Sequence, residues 1–233
     1  MACFVLVHGG WRGAFSFRHV RRGLQQAGHE VFTPSLTGLG DKVHLASPQV
    51  TLSTHVQDVV NLVLYEDLRD VVLLGYSYGG AVVTGSLDSI HDRVRELVYL
   101  DAFVPEDGQS MADLLGLPRS PIALGDAVAL PPLPRAFDDP AEAEFMNPRA
   151  VPHPLATAYE PVRLHQPLED FPFGLTYIKA TKSDPNELGE SAFAAAADRA
   201  RQSPRWAVHE IATNHMVAVN RPGELVELLL ALA

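Results

Sequence analysis

At 233 residues, with 47% hydrophobic and 20% charged side chains, the chain has the length of one sizeable α/β domain and enough apolar surface to bury a core, so disorder is not the default. A formal net charge of -10 with no clustered Lys and Arg argues against a phosphate-backbone partner and leaves small neutral ligands open. The single cysteine, Cys3, excludes an intrachain disulfide and a multi-thiolate metal site, and no window approaches the roughly 18 apolar residues of a spanning helix, so a soluble, cytoplasmic protein with no membrane partner is expected.

The first apolar run, Phe4 to Val7, has no basic residues before it and continues into His8-Gly9-Gly10, so it reads as a strand and a glycine turn rather than a signal peptide. A helical segment from Phe17 to Ala27 leads to a weaker strand, His29 to Phe32, that ends at Pro34. Ser53 to Tyr65 reads as a helix, Val71 to Leu74 as a strand, Ala81 to Asp88 as a helix and Leu97 to Leu100 as a strand. Beyond a long interruption come a strand at Leu175 to Ile178, a helix at Glu190 to Arg201, a strand at Trp206 to Ile211 and a helix at Glu224 to Leu232. The strands are nearly continuous apolar runs rather than alternating ones, which predicts a mostly parallel, doubly wound sheet covered on both faces and one domain over residues 1–233. Such a sheet opens its site at the carboxyl ends of its strands.

The interruption, residues 103–172, is dense in proline (Pro118, Pro121, Pro131, Pro132, Pro134, Pro140, Pro148, Pro152, Pro154, Pro161 and Pro167) yet carries Leu114, Leu115, Leu117, Phe137, Phe145, Met146 and Tyr159. That apolar content favours a lid over the sheet edge against a disordered linker.

The strongest local signal is Val71-Val72-Leu73-Leu74-Gly75-Tyr76-Ser77-Tyr78-Gly79-Gly80-Ala81: a buried strand, then G-x-S-x-G, then a helix start. This is the nucleophile elbow, a sharp strand-to-helix turn that holds Ser77 above the sheet, with Gly75 and Gly79 avoiding the side-chain collisions of so tight a reversal. The turn His8-Gly9-Gly10-Trp11 occupies the place of the second oxyanion donor, so the backbone N–H groups of Gly10 and Tyr78 are the expected hole. A dinucleotide fingerprint is disfavoured: Gly9, Gly10 and Gly13 do not fit G-x-G-x-x-G, and Thr33-Pro34 stands where a ribose-binding carboxylate belongs.

A serine needs an imidazole to take its proton. Of ten histidines, His215 fits the order serine, acid, histidine, because it lies in the loop beyond the last strand. His209 reads as a sheet-surface residue, His8 as a support for the oxyanion turn, and His153 and His165 as lid residues within reach of a substrate. Two carboxylates compete to hold the imidazole: Asp101, at the end of Leu97-Val98-Tyr99-Leu100, and Asp184, after the strand ending at Ile178 and the commoner location. Placement puts Asp101 first, with Asp184 as the alternative.

Phe4-Val5-Leu6-Val7-His8-Gly9-Gly10-Trp11, Gly75-Tyr76-Ser77-Tyr78-Gly79-Gly80, Leu100-Asp101-Ala102-Phe103-Val104-Pro105 and Asn214-His215-Met216-Val217 together resemble the α/β-hydrolase branch of plant methyl-salicylate-type esterases, hydroxynitrile lyases and their bacterial relatives, over nearly the whole chain. The resemblance implies the α/β-hydrolase fold. Gly9, where the lyases carry threonine, and Met216, where they carry lysine, resemble the esterase side. The plant members take their acid at the position of Asp184, whereas Leu100-Asp101-Ala102 resembles bacterial relatives. Asn214 departs from the small residue usual there.

The resulting expectation is a hydrolase of a small, largely apolar carboxylic ester acting through an acyl-enzyme on Ser77, with Trp11, Tyr76 and Phe103 lining the pocket and no metal or organic cofactor. The same fold also runs cofactor-free lyase, cyclase or dehydratase chemistry, and a non-catalytic ligand-binding protein could keep the pocket. The expected partner is a small-molecule substrate, with homodimerisation left open.

Overall fold

The computed structural model describes residues 1–118, 128–185 and 187–233; residues 119–127 of the expected lid, Pro121 among them, lie outside the described residues. In chain order the elements are β1 (Cys3–Val7), α1 (Arg18–Gln26), β2 (Glu30–Phe32), α2 (Leu52–Tyr65), β3 (Val71–Tyr76), α3 (Gly79–Ile90), β4 (Val94–Leu100), α4 (Met111–Leu114), β5 (Ala129–Leu130), α5 (Pro140–Met146), β6 (His153–Pro154), α6 (Ala156–Tyr159), β7 (Gly174–Ala180), α7 (Glu190–Gln202), β8 (Trp206–Ile211), α8 (Val217–Asn220) and α9 (Pro222–Ala231).

The main sheet runs β2-β1-β3-β4-β7-β8 with every neighbouring pair parallel. Because side chains alternate along a strand, each central strand feeds two cores. Phe4, Leu6, Val72, Leu74, Val98, Leu100 and Ile178 face α1 and α9, meeting Val20, Leu24, Leu225 and Leu229. Val5, Val7, Leu73, Leu97, Tyr99, Leu175 and Tyr177 face the other way, onto α2, α3 and α7. Burial of each such large side chain contributes about 1.5–3 kcal/mol, which is why unbroken apolar runs suit strands covered on both sides.

The helices carry local reasons to start where they do. Asp139 accepts from the Ala141 N–H at 2.8 Å and Pro140 opens α5 with its pre-set φ, while α7 begins with Glu190 and ends with Arg199 and Arg201, charges that oppose the helix dipole at each end.

From β1 the chain goes to β2 on one side, then returns to β3 on the other. The crevice between the carboxyl ends of β1 and β3 is therefore the switch point of the sheet, the place where such folds bind ligands.

Residues 103–172 supply α4, α5, α6 and a small antiparallel sheet of β5 and β6. Anchors tie this segment over the β1 edge: Val151 N–H donates to the Trp11 carbonyl (2.9 Å), the Trp11 indole to the Leu130 carbonyl (3.1 Å), Arg12 to the Met146 carbonyl (3.1 Å) and Arg18 to Glu142 (2.6 Å). Among the described residues no helix is long and apolar enough to cross a membrane, and no group of three or more His, Cys, Asp or Glu side chains is placed to hold a metal ion.

Candidate active site

The six residues of β3 are all buried, so the strand delivers Ser77 to the sheet edge from a rigid base. Ser77 itself has φ +56, in the left-handed region that a serine enters only under constraint. Three backbone hydrogen bonds hold it there: its N–H donates to the Leu100 carbonyl (3.2 Å) and its carbonyl accepts from Gly80 (3.1 Å) and Phe103 (3.2 Å). Glycine is required on both sides of the bend. A Cβ on Gly75 would stand 2.6 Å from the Gly79 carbonyl oxygen, and one on Gly79 would stand 2.5 Å from the Val7 carbonyl oxygen. Trp11 (φ +61) and Asp101 (φ +41) share the left-handed backbone, so three of the five non-glycine residues of this kind among the described residues surround one site.

His215 arrives from the loop between β8 and α8. Its Nε2 lies 3.0 Å from Ser77 Oγ and its Nδ1 2.7 Å from Asp101 Oδ2. The carboxylate can only accept, so Nδ1–H donates to Asp101 and the Nε2 lone pair faces the serine hydroxyl. The imidazole is wedged between rings, stacked on Phe193 (5.0 Å between centroids, 4° between planes) and tilted against Tyr76 (5.0 Å); the Tyr76 hydroxyl donates to the His215 carbonyl (2.7 Å). Burial lowers the proton affinity of His215 below the ordinary histidine value, against the opposing hydrogen bond and charge of Asp101. The ring is therefore neutral near pH 7 and able to accept a proton.

Asp101 is fully buried. Burial alone would raise its pKa, but the hydrogen bond and charge of His215 and the ammonium of Lys179 hold it below the usual aspartate range. Lys179 Nζ sits 2.8 Å from Asp101 Oδ1 and 2.8 Å from Glu190, and the Ala180 N–H also reaches Oδ1 at 3.2 Å. Asp184, the other candidate, lines a surface cleft with Lys182, Glu187 and Asn214. The placement that favoured Asp101 thus coincides with the carboxylate that meets the imidazole.

The β1 turn packs directly on the nucleophile: a Cβ on Gly9 would stand 2.9 Å from Ser77 Cβ. His8 stiffens the turn. Leu36 N–H donates to its Nε2 (3.0 Å), which puts the proton on Nδ1, and Nδ1 donates to the Gly9 carbonyl (2.7 Å); burial lowers the His8 pKa to about 4, so this brace is neutral. Gly10 and Tyr78 face each other across the same small space beside Ser77, with Tyr78 at the start of α3, where backbone N–H groups lack intrahelical acceptors.

Among the described residues, two lobes of about 20 Å³ each, room for roughly one water apiece, flank Ser77. One is polar-rimmed, with Arg12, Tyr76 and Met216; the other is apolar, with Phe103, Leu130, Leu188 and Phe193; Trp11 and Arg135 border both. Trp11, Tyr76 and Phe103, expected at the pocket, all lie on it. His153 lines the apolar lobe, whereas His165 pairs with Asp88 (2.6 Å) at a separate outer cleft of about 560 Å³, away from the Ser77 lobes.

Sequence reading missed Arg135, Lys179 and Phe193. Arg135 is a nearly buried guanidinium paired with Glu187 and lying 6.0 Å above the Trp11 ring. A lysine inside the otherwise apolar run Leu175-Thr176-Tyr177-Ile178-Lys179-Ala180 was the available signal for Lys179, since a buried ammonium demands a carboxylate.

A hydrogen-bonded serine, imidazole and carboxylate at the switch point of a parallel α/β sheet, with two backbone turns converging beside the serine, define a serine hydrolase of the α/β type. Residues 4–228 match the model of the alpha/beta hydrolase family, and the chain belongs to that family. It is 39% identical, over 100% of both chains, to a carbendazim hydrolyzing esterase of Nocardioides sp. (strain SG-4G). It is also 30% identical to methylesterase 8 of Arabidopsis thaliana over 114 residues, 48% of this chain and 42% of the other. An extracellular alpha/beta-hydrolase from a Paenibacillus species, whose structure is described as homologous to tobacco salicylic acid binding protein 2, shares the fold at a TM-score of 0.74 with 24% identity, covering 100% of this chain and 99% of that one. The chain is accordingly an ester hydrolase of the branch that its motifs resembled, and the full-length match to an esterase favours neither the lyase nor the binding-protein alternative.

Proposed function

We propose that the protein cleaves a small, largely apolar carboxylic ester through an acyl-enzyme on Ser77, with His215 as base, Asp101 as the acid of the triad and the backbone N–H groups of Gly10 and Tyr78 as the oxyanion hole. Ser77 Oγ attacks the ester carbonyl carbon while its proton passes to His215 Nε2. The C–O bond to the alcohol then breaks as the imidazolium returns that proton to the departing oxygen. Water, deprotonated by the same nitrogen, attacks the acyl carbon and releases the carboxylic acid with Ser77 restored. Asp101 keeps the imidazole in the correct tautomer and stabilises its charged form.

The observation that carries this reading is the unbroken hydrogen-bond line Ser77 Oγ, His215, Asp101 at 3.0 and 2.7 Å. The pocket's apolar lobe supports a small hydrocarbon group on the substrate, and carbendazim, which the Nocardioides relative is named for, is the first compound to assay. A cytoplasmic location is consistent with a chain that holds one free cysteine.

The test combines fluorophosphonate labelling with turnover of p-nitrophenyl acetate. Labelling of Ser77 together with ester turnover is expected, and both are lost in Ser77→Ala; a folded wild-type protein that takes no label and turns over no ester overturns the reading.

A further inference from the structure

The lid histidine carries an unspent polar atom. His153, in β6, is 1% exposed, and its Nε2 lies 2.7 Å from Thr157 Oγ1. The Thr157 hydroxyl donates its one hydrogen to the Pro154 carbonyl (2.7 Å), which can only accept, so Thr157 must accept from His153. The ring proton is thereby fixed on Nε2, leaving a lone pair on Nδ1. Burial, with His55 and His8 nearby, keeps the ring well below the ordinary histidine range and hence uncharged.

That Nδ1 is buried and has no hydrogen-bond partner among the described residues, an exception among buried polar atoms that calls for a reason. Its direction supplies one. It is the atom nearest to where a Cβ on Gly10 would stand, at 3.5 Å, and the ring packs edge-on against Tyr78 at 4.6 Å between centroids. The lone pair therefore borders the space beside the proposed oxyanion hole. Nearby polar groups are already engaged or donate only: the Trp11 indole donates to Leu130, the Tyr78 hydroxyl bonds His55 (2.9 Å), and Arg135 is a donor paired with Glu187. Ser77 faces His215, and the other side chains of the lobe, Phe103, Met111, Leu115, Leu130, Leu188 and Phe193, are apolar.

We propose that His153 is a specificity-determining residue: its Nδ1 accepts a hydrogen bond from an N–H or O–H group that the substrate carries on the atom next to its scissile carbonyl carbon or one beyond it. This rests on the ester-hydrolase reading above and adds a substrate class to it. Two sources meet the requirement, a carbamate N–H attached directly to the carbonyl and a hydroxyl on the neighbouring carbon. An ester lacking a donor there strands a buried acceptor, and sites built this way discriminate strongly against such analogues.

The experiment measures kcat/KM for two matched pairs: methyl N-phenylcarbamate against methyl N-methyl-N-phenylcarbamate, and methyl mandelate against methyl α-methoxyphenylacetate, each normalised to its hydroxide-catalysed rate. The wild-type protein is expected to favour the donor-bearing member of at least one pair by about tenfold or more, and whichever pair shows the preference identifies the source. In His153→Leu the preference is expected to fall to about unity, and His153→Gln, whose amide oxygen still accepts, to restore part of it. Ratios near unity in both pairs for the wild type, or a preference unchanged in His153→Leu, overturn the proposal. Should the variants fail to fold, the wild-type protein decides: the ¹⁵N resonance of His153 Nδ1 is expected to move upfield when N-phenylacetamide, a non-ester N–H donor, or 1-hydroxy-1-phenylpropan-2-one, a non-ester hydroxyl donor, occupies the site, and no movement at saturation with either overturns the proposal. p-Nitrophenyl acetate, which has no donor, reports the serine chemistry separately. Its turnover with flat ratios sinks the role of His153 alone, and no turnover sinks the esterase reading.

Discussion

The sheet edge and the segment of residues 103–172, the proposed lid, meet at Ser77 but are built by different means. At the edge, backbone does the positioning: left-handed residues at Trp11, Ser77 and Asp101, glycines with no room for a Cβ, and hydrogen bonds from one strand end to the next strand's last carbonyl. On the lid side it is side chains that close the space, through Arg135, Leu130 and His153, carried on short elements between prolines. The contrast teaches that the serine's position rests on backbone geometry that few substitutions could leave intact, whereas the opposite wall of the pocket rests on a handful of replaceable side chains.

The contrast can be broken or sharpened by substitution. Ser77→Ala is expected to lower kcat by about 10⁶-fold while thermal unfolding stays close to wild type, as in serine hydrolases stripped of their nucleophile. Asp101→Asn should cost about 10⁴-fold, because the amide favours the wrong imidazole tautomer; Asp184→Asn, measured beside it, should retain most of the activity. A glycine variant probes the backbone alone: Gly9→Ala brings a methyl group to 2.9 Å from Ser77 Cβ and should reduce kcat by about 10²-fold through displacement of the oxyanion turn.

The smallest effect is assigned to the lid. The proposed base must be unprotonated to act, and burial together with the Arg135 charge lowers its proton affinity, so the acid limb of the kcat/KM profile should lie below the ordinary histidine value of about 6.5. Arg135→Met removes a cation that disfavours the imidazolium. The limb should then move up in pH, and activity on the acid side should fall. A limb that stays in place would show that the guanidinium acts only by shape.

Much of this was legible in the sequence, for identifiable reasons. The strands were readable because a doubly covered sheet needs unbroken apolar runs, and Val71 to Tyr76 is buried at every position. Ser77 and His215 were readable because one sits in a turn only glycines permit and the other follows the last strand. The acid was not settled by sequence, since Asp101 and Asp184 both follow strands and only the sheet order β3-β4-β7 brings β4 alongside the serine. Arg135 left no trace beyond being the one cation between residues 128 and 148, because its role depends on Glu187 and Trp11, far away in the chain. His153 was visible as a lid histidine, but its idle nitrogen emerges only once the Thr157 hydroxyl is seen to be committed elsewhere.

With Asp101 as the proposed acid, drawn from the end of β4, the proposed triad takes no carboxylate from the connection between β7 and α7. That connection supplies Glu187 to the arginine clamp and Leu188 to the apolar wall. One short connection thereby touches both the wall that a substrate would meet and, through Arg135, the charge felt by His215.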